Sequence, residues 1–249
     1  MKKFTIPLLM TTVLLAGLLI QRCSTTKPSE KVTRFTDSAM IDQKTGDLWL
    51  IEALQGKAMN HPSFAIWIED AHGRFLRTIF ITRSYATGIF NHQMVGDTIW
   101  LNESGPSYQP AALPVWTHRK DPEASKVNIP TPEQPYLDAY SGATPTGSFS
   151  MLTSLPRIEG TINLYMEVNQ PWDWNDYWTT GKFPGNHAYA HSAQPSLILH
   201  SQISSGDTVV VANPVGYGDP KGESGKIFPE VETLTTAREI FESVRLIKQ

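Results

Sequence analysis

The chain has 249 residues, of which 40% are apolar, 18% charged and 10% aromatic, with 17 glycines, 18 prolines and a formal net charge of −3. This composition excludes a disordered, collagen-like or coiled-coil chain and suits one globular domain that can bury its own core. A single cysteine excludes an intramolecular disulfide framework and any multi-cysteine metal site, and the lack of a basic block argues against nucleic acid as a partner.

Residues 1–22 carry Lys2 and Lys3, an apolar run from Phe4 to Ile20 and no acidic residue, the layout of an export signal or membrane anchor. The run is close to the lower limit for a spanning helix. Cys23 follows it directly, ahead of a polar stretch, where a lipoprotein signal places the cysteine that receives lipid; Gln21 and Arg22 stand where such signals carry small residues. Three readings remain: lipidation of Cys23, which leads, an uncleaved anchor, and an ordinary secreted form. All three put the folded part outside the cytoplasm, in the periplasm or cell envelope. Residues 23–34 read as a tether and 35–249 as a single domain.

From residue 35 onward the periodicity is that of strands, short β-branched or aromatic runs bounded by Gly, Pro, Asn and Asp. Asp47–Leu54 is the first. Ser63–Asp70 and Arg74–Arg83 form a hairpin through Ala71-His72-Gly73, with glycine where a positive φ is needed. In its first arm Phe64, Ile66 and Ile68 share one face while Ala65, Trp67 and Glu69 share the other, so at least one face meets a core. A long loop follows, from about residue 84 to 146, ending in Asp138-Ala-Tyr-Ser-Gly-Ala-Thr144 and then Pro145. That segment resembles the attachment motif Asp-x-x-Ser/Thr-Gly-Ala-Thr of exported flavoproteins, at whose last threonine a flavin transferase joins FMN through a phosphoester. The resemblance implies that Thr144 carries the flavin and that Asp138, Ser141, Gly142 and Ala143 shape the loop. Downstream the motif's carriers continue with a helix, whereas Pro145-Thr-Gly147 leads into a strand, so a plain turn entering that strand is the competing reading.

Further strands are expected at Gly147–Leu155, Thr161–Val168, Pro195–Ile203, Asp207–Asn213 and Glu242–Lys248, with one helical turn at Thr235–Phe241. The pattern predicts an all-β fold, an immunoglobulin-like antiparallel β-sandwich with long loops. The second long loop, from about 169 to 194, holds the aromatic cluster Trp172-Asp-Trp174-Asn-Asp-Tyr-Trp178. Trp172, Trp174 and Trp178 are candidates for stacking on a flavin or a sugar, with Asp173 and Asp176 as acceptors for ring hydroxyls; the alternative is a Trp-rich lid folded onto the sandwich. His187 and His191 stand four apart, with His200 as a third candidate metal ligand; Pro184-Gly-Asn186 before them favours exposed loop histidines instead. Gly222-Glu-Ser-Gly225 lacks the strand-to-helix context of a nucleophilic serine and reads as a loop, and no catalytic constellation can be assembled.

Phe64–Asp70 with Gly73–Ile79, Ala112–Trp116, Asp138–Thr144, Ser192–Leu197 and Leu234–Ala237 together resemble, in order and rough spacing, the domain-of-unknown-function 2271 family of predicted periplasmic proteins. That family tends to accompany membrane PepSY-type proteins and the flavin transferase. The resemblance implies an envelope redox or iron-reduction setting, a membrane redox partner, and an accessory role rather than an independent enzyme. A non-catalytic envelope module that recognises a carbohydrate or a protein is the alternative.

Overall fold

The protein is described by a computed structural model over residues 32–36, 46–96, 99–122, 128–157 and 160–249. The expected signal at residues 1–22, Cys23 and most of the tether lie outside the described residues. Strands β1 (Thr33–Thr36), β2 (Gly46–Gln55), β3 (Ser63–Glu69) and β4 (Phe75–Thr82) come first, followed by helix α1 (Arg83–Thr87). Short strands β5 (Ile89–Phe90), β6 (Gln93–Val95), β7 (Ile99–Leu101) and β8 (Gly105–Pro106) form an arm, and α2 (Pro114–Arg119) and β9 (Tyr140–Gly142) follow. The remainder is β10 (Phe149–Pro156), β11 (Thr161–Asn169), α3 (His187–Ser192), β12 (Leu197–Ser204), β13 (Val209–Tyr217), two 3-10 turns at Val231–Thr233 and Thr236–Glu239, and β14 (Phe241–Lys248).

Ten of these strands pair in the order β1-β10-β2-β14-β13-β12-β11-β3-β4-β9. The sheet doubles over at β13, whose residues Val209–Ala212 pair with β14 while Asn213–Tyr217 turn to β12. The switch falls at Pro214, which has no N–H for a regular ladder, and the register slips there. Two facing layers result, the all-β sandwich that the pattern predicts, antiparallel through its centre. Each outer edge adds a parallel partner, β1 on β10 and β9 on β4, which a purely antiparallel expectation did not include. The hairpin turn is as predicted, with Gly73 at φ 76° and Asp70 accepting from the backbone N–H groups of His72 and Arg74.

Between the layers, Trp49, Ile51, Phe149, Met151, Val244 and Leu246 from one side meet Phe64, Ile66, Ile68, Leu164, Met166 and Leu199 from the other. Phe64 stacks on Phe80 and Phe149 at 5.0 and 5.4 Å between ring centroids, and Phe35 reaches Phe80 across the closing edges at 5.3 Å. A Cβ on Gly142 would lie 3.0 Å from Phe80 and 3.2 Å from both Phe35 and Tyr140, so close approach of three rings explains this glycine. Gly142→Ala is expected to cost about 1–2 kcal/mol, read as a lower denaturation midpoint, because those rings must give way together.

The first long loop is no open excursion. Its α1 and α2 and the chain between them cover the outer face of the second layer, where Tyr85, Leu113, Val115 and Trp116 pack on Ala65, Trp67, Ile81 and Ile198. This is why all seven residues of β3 are buried, on both faces. Glu167, wholly buried on β11, pins the cover: it accepts hydrogen bonds from the backbone N–H of Val115 (3.1 Å) and Trp116 (2.7 Å) at the start of α2, and from the Ser196 hydroxyl (2.6 Å). Arg119, at the other end of α2, forks onto both oxygens of buried Glu69 at 2.8 Å.

Candidate functional site

One end of the sandwich carries a cavity of about 730 Å³. The parallel register builds its first wall. Gly142 pairs with Thr82, so the next residues of the two strands, Ala143-Thr144 and Arg83-Ser84, leave the sheet side by side and both line the cavity. Thr144 is half-buried there, and Thr87 of α1 lies on the same wall.

The second wall is aromatic. Trp172, 45% exposed, lies edge-on to the His191 ring at 5.2 Å, and Trp100 of β7 stacks flat on His191 at 4.4 Å. His92 approaches Trp172 from the arm at 5.8 Å. The Trp172 backbone N–H donates to the His191 backbone carbonyl at 2.9 Å, which fixes the two residues side by side. Asn186 caps α3 by accepting from the Tyr189 N–H, so His187 and His191 lie on a helix and not in the loop that Pro184-Gly-Asn186 suggested. Burial, with His92 beside it, pushes the His191 imidazole down to about 4, so it stays uncharged near neutral pH.

Backbone strain gathers at this site. Among the described residues, the non-glycine residues with left-handed φ are His61 (55°), Trp172 (57°) and Ala193 (63°). The first two line the cavity and the third follows His191 by two residues. Such conformations cost on the order of 1 kcal/mol each and persist where the surroundings fix them, as at ligand sites.

The structure therefore brings together Thr144, Ala143, Trp172 and His191, and separates the other candidates. Gly142 serves the aromatic packing described above, and Ser141 is exposed on β9. Asp138 lines a different cleft of about 540 Å³ with Lys120 and Tyr136, so it does not shape the turn around Thr144 from within the cavity. Trp178 is closed to a ligand, and Trp174, which is partly buried, is packed against the main core and away from the cavity. Trp178 is 2% exposed and packs edge-on to Tyr217 at 5.4 Å, and Trp174 packs edge-on to Tyr189 at 5.5 Å, because this segment of the loop closes the main core. Asp173 turns inward, one oxygen accepting from the Thr236 hydroxyl and the other buried.

The three histidines do not converge. His187 is exposed, His191 stacks on Trp100, and His200 lies on the outer face of the second layer, continuing a cross-strand ladder with Tyr165 (4.6 Å) and Trp67 and bonding to Asn163 at 2.9 Å. Among the described residues no group of His, Cys, Asp and Glu side chains is placed to hold a metal ion. Ser224 of the Gly-Glu-Ser-Gly segment donates to Asp219 at 2.7 Å in a packed turn, which agrees with a loop. Arg83, Ser84, His61, His92 and Trp100 escaped sequence reasoning. They come from four separate segments that only the fold assembles.

Comparison with family models, with curated proteins and with solved structures finds no match to this chain.

Proposed function

We propose that this protein is an extracytoplasmic, flavin-carrying accessory of a membrane electron-transfer or iron-reduction system, with FMN joined to Thr144. The observation that carries this reading is the meeting of Thr144 and Trp172 in one cavity, although 27 residues and two strands, β10 and β11, separate them in the chain. The cavity volume falls within the roughly 300–1,000 Å³ usual for small-molecule sites. Its lining chemistry suits the group in two halves. Arg83 with the hydroxyls of Ser84 and Thr87 beside Thr144 suits a phosphate and its polyol chain, and Trp172 with Phe90 and Ile89 offers flat apolar surface to a fused ring.

Bound there, the flavin would supply electron transfer, while the protein supplies position and electrostatics. Thr144 contributes its Oγ: the Oγ–P bond forms as the bond between the flavin-bearing phosphoryl group and its leaving group in the transferase's donor breaks, and the hydroxyl proton departs to the transferase. Uncharged His191 keeps the aromatic wall free of a buried cation. The apolar N-terminal run and Cys23 support the envelope setting, and the flavin-attachment reading of Thr144 brings a flavin transferase and a membrane redox protein as partners.

The full chain, exported and coexpressed with a flavin transferase, is expected to purify yellow with flavin that survives denaturation. Trp172→Ala should keep that flavin and raise its emission, because stacked indole quenches an adjacent ring system. A colourless product, with the transferase proven on a control substrate, would leave the competing reading, a non-catalytic envelope module whose cavity takes a carbohydrate or protein segment.

A further inference from the structure

We propose that the outer face of the β6–β7 hairpin rests on the bilayer surface, turning the mouth of the Thr144 cavity toward the membrane. This builds on the anchored, extracytoplasmic reading above. The register pairs Val95 with Ile99, Met94 with Trp100 and Gln93 with Leu101, so alternation divides the hairpin into two faces. Trp100, on one face, stacks on His191 and meets Trp172, which backs the aromatic wall of the cavity. Val95, Ile99 and Leu101 share the other face with Gln93, whose side-chain amide donates to Glu103, and the three apolar residues are 46%, 56% and 37% exposed. A two-stranded arm with apolar residues on both faces has one face too many for its own core.

Two observations identify what covers that face. The first is where the tether arrives. The Thr33 N–H donates to the Ser148 carbonyl at 2.9 Å, and β1 runs parallel to β10 from Thr33 opposite Phe149. The preceding chain thus reaches the sandwich at the end that holds Thr144, the end of β4 and the root of the arm. The ten residues from Cys23 to Thr33 span at most about 35 Å when fully extended, so an anchor at or before Cys23 holds this end within about that distance of the bilayer. The second observation is size. Three such side chains offer on the order of 200–300 Å² of apolar surface, well short of the roughly 800 Å² per partner of a stable protein interface, but of the scale that supplements an existing membrane anchor. A bilayer supplies an apolar boundary without requiring shape complementarity.

The test places a solvatochromic fluorophore on Ile99→Cys, on Leu101→Cys and, at the opposite end in the turn after β12, on Ser205→Cys. The full chain is reconstituted into phosphatidylethanolamine–phosphatidylglycerol vesicles that carry an acyl-chain quencher. Wild type treated identically corrects for any labelling of Cys23. Blue-shifted, quenched emission from positions 99 and 101 with unshifted, unquenched emission from 205 is the expected result. Equal water exposure at all three positions overturns the proposal, as does quenching at all three, which would mean an unoriented protein. Protection of position 99 without vesicles, together with a doubled solution mass, overturns it in favour of a second copy of the chain on that face. Flavin content measured on the same samples is an independent readout, so membrane contact without flavin, or flavin without membrane contact, separates failure of one reading from failure of the other.

Discussion

Replacing Glu167 with alanine is expected to lower the stability of the domain by about 3–5 kcal/mol, which for a chain of this size is a fall in Tm of roughly 10 °C. Its carboxylate is wholly buried and takes three hydrogen bonds, two of them from the N–H groups that open α2. Truncation leaves those donors without their protein partners at a site where backbone and side chains close tightly on the carboxylate, a Cβ on neighbouring Gly218 lying 2.9 Å from the Glu167 oxygen. The same variant should loosen the cover over the outer face, seen as faster hydrogen exchange across Leu113–Thr117 than across β2.

Glu167 also titrates in an unusual range. Burial raises its carboxyl to about 7, opposed by the Ser196 hydroxyl, the two backbone donors and the nearby Arg119 charge. The folded state therefore holds this proton more tightly than the unfolded chain does. The stability it contributes is complete below about 4.5 and is lost as pH rises to about 7, on the order of 3 kcal/mol. His191 acts in the opposite sense: its imidazole, pushed down to about 4, contributes stability that is present above the ordinary value of 6.5 and lost as pH falls. The two nearly cancel in wild type. Glu167→Gln removes one of them, so its stability is expected to rise more steeply with pH across this window than that of wild type, and a parallel pair of curves would show that Glu167 does not titrate there.

The second large effect concerns Thr144. On the proposed function, Thr144→Ala loses covalent flavin entirely, because Thr144 alone fills the last position of the attachment motif: Ala143 precedes it, buried Pro145 follows, and Thr146 does not line the cavity. Ser141, the nearest upstream hydroxyl, sits in the β9 ladder opposite Ile81 and does not line the cavity. Thr144 is only half-buried, so its loss should leave Tm within about 1–2 °C of wild type. The chemistry and the fold are thereby separable.

The sandwich was legible in the sequence because its strands alternate and end at turn residues. The eight expected runs coincide with β2–β4 and β10–β14, and Gly73 occupies the turn it was assigned. What stayed hidden has physical reasons. β1 is only four residues long and depends on its parallel neighbour, so it carries no pattern of its own. Helices α2 and α3 are six residues each, too short for a helical period to show, although Pro114 at the first helical position and Asn186 as a cap were readable signals. The arm's strands span two or three residues and gain meaning only against Trp172 and His191. At the site, Thr144 and Trp172 could be picked out by residue type and motif, but their meeting depends on β9 pairing with β4, a contact between segments 60 residues apart. The Trp cluster illustrates the opposite limit: three indoles in seven residues look equivalent in sequence, and only the fold turns two inward and leaves one at the cavity.

The most direct test of the central claim is the intact mass of the exported chain produced with a flavin transferase, beside Thr144→Ala and Ser141→Ala. The account predicts a single added FMN, less one water, on wild type and on Ser141→Ala, mapped by peptide fragmentation to Thr144 and missing from Thr144→Ala. An unmodified wild-type mass with an active transferase, or an FMN adduct that persists in Thr144→Ala, would contradict it.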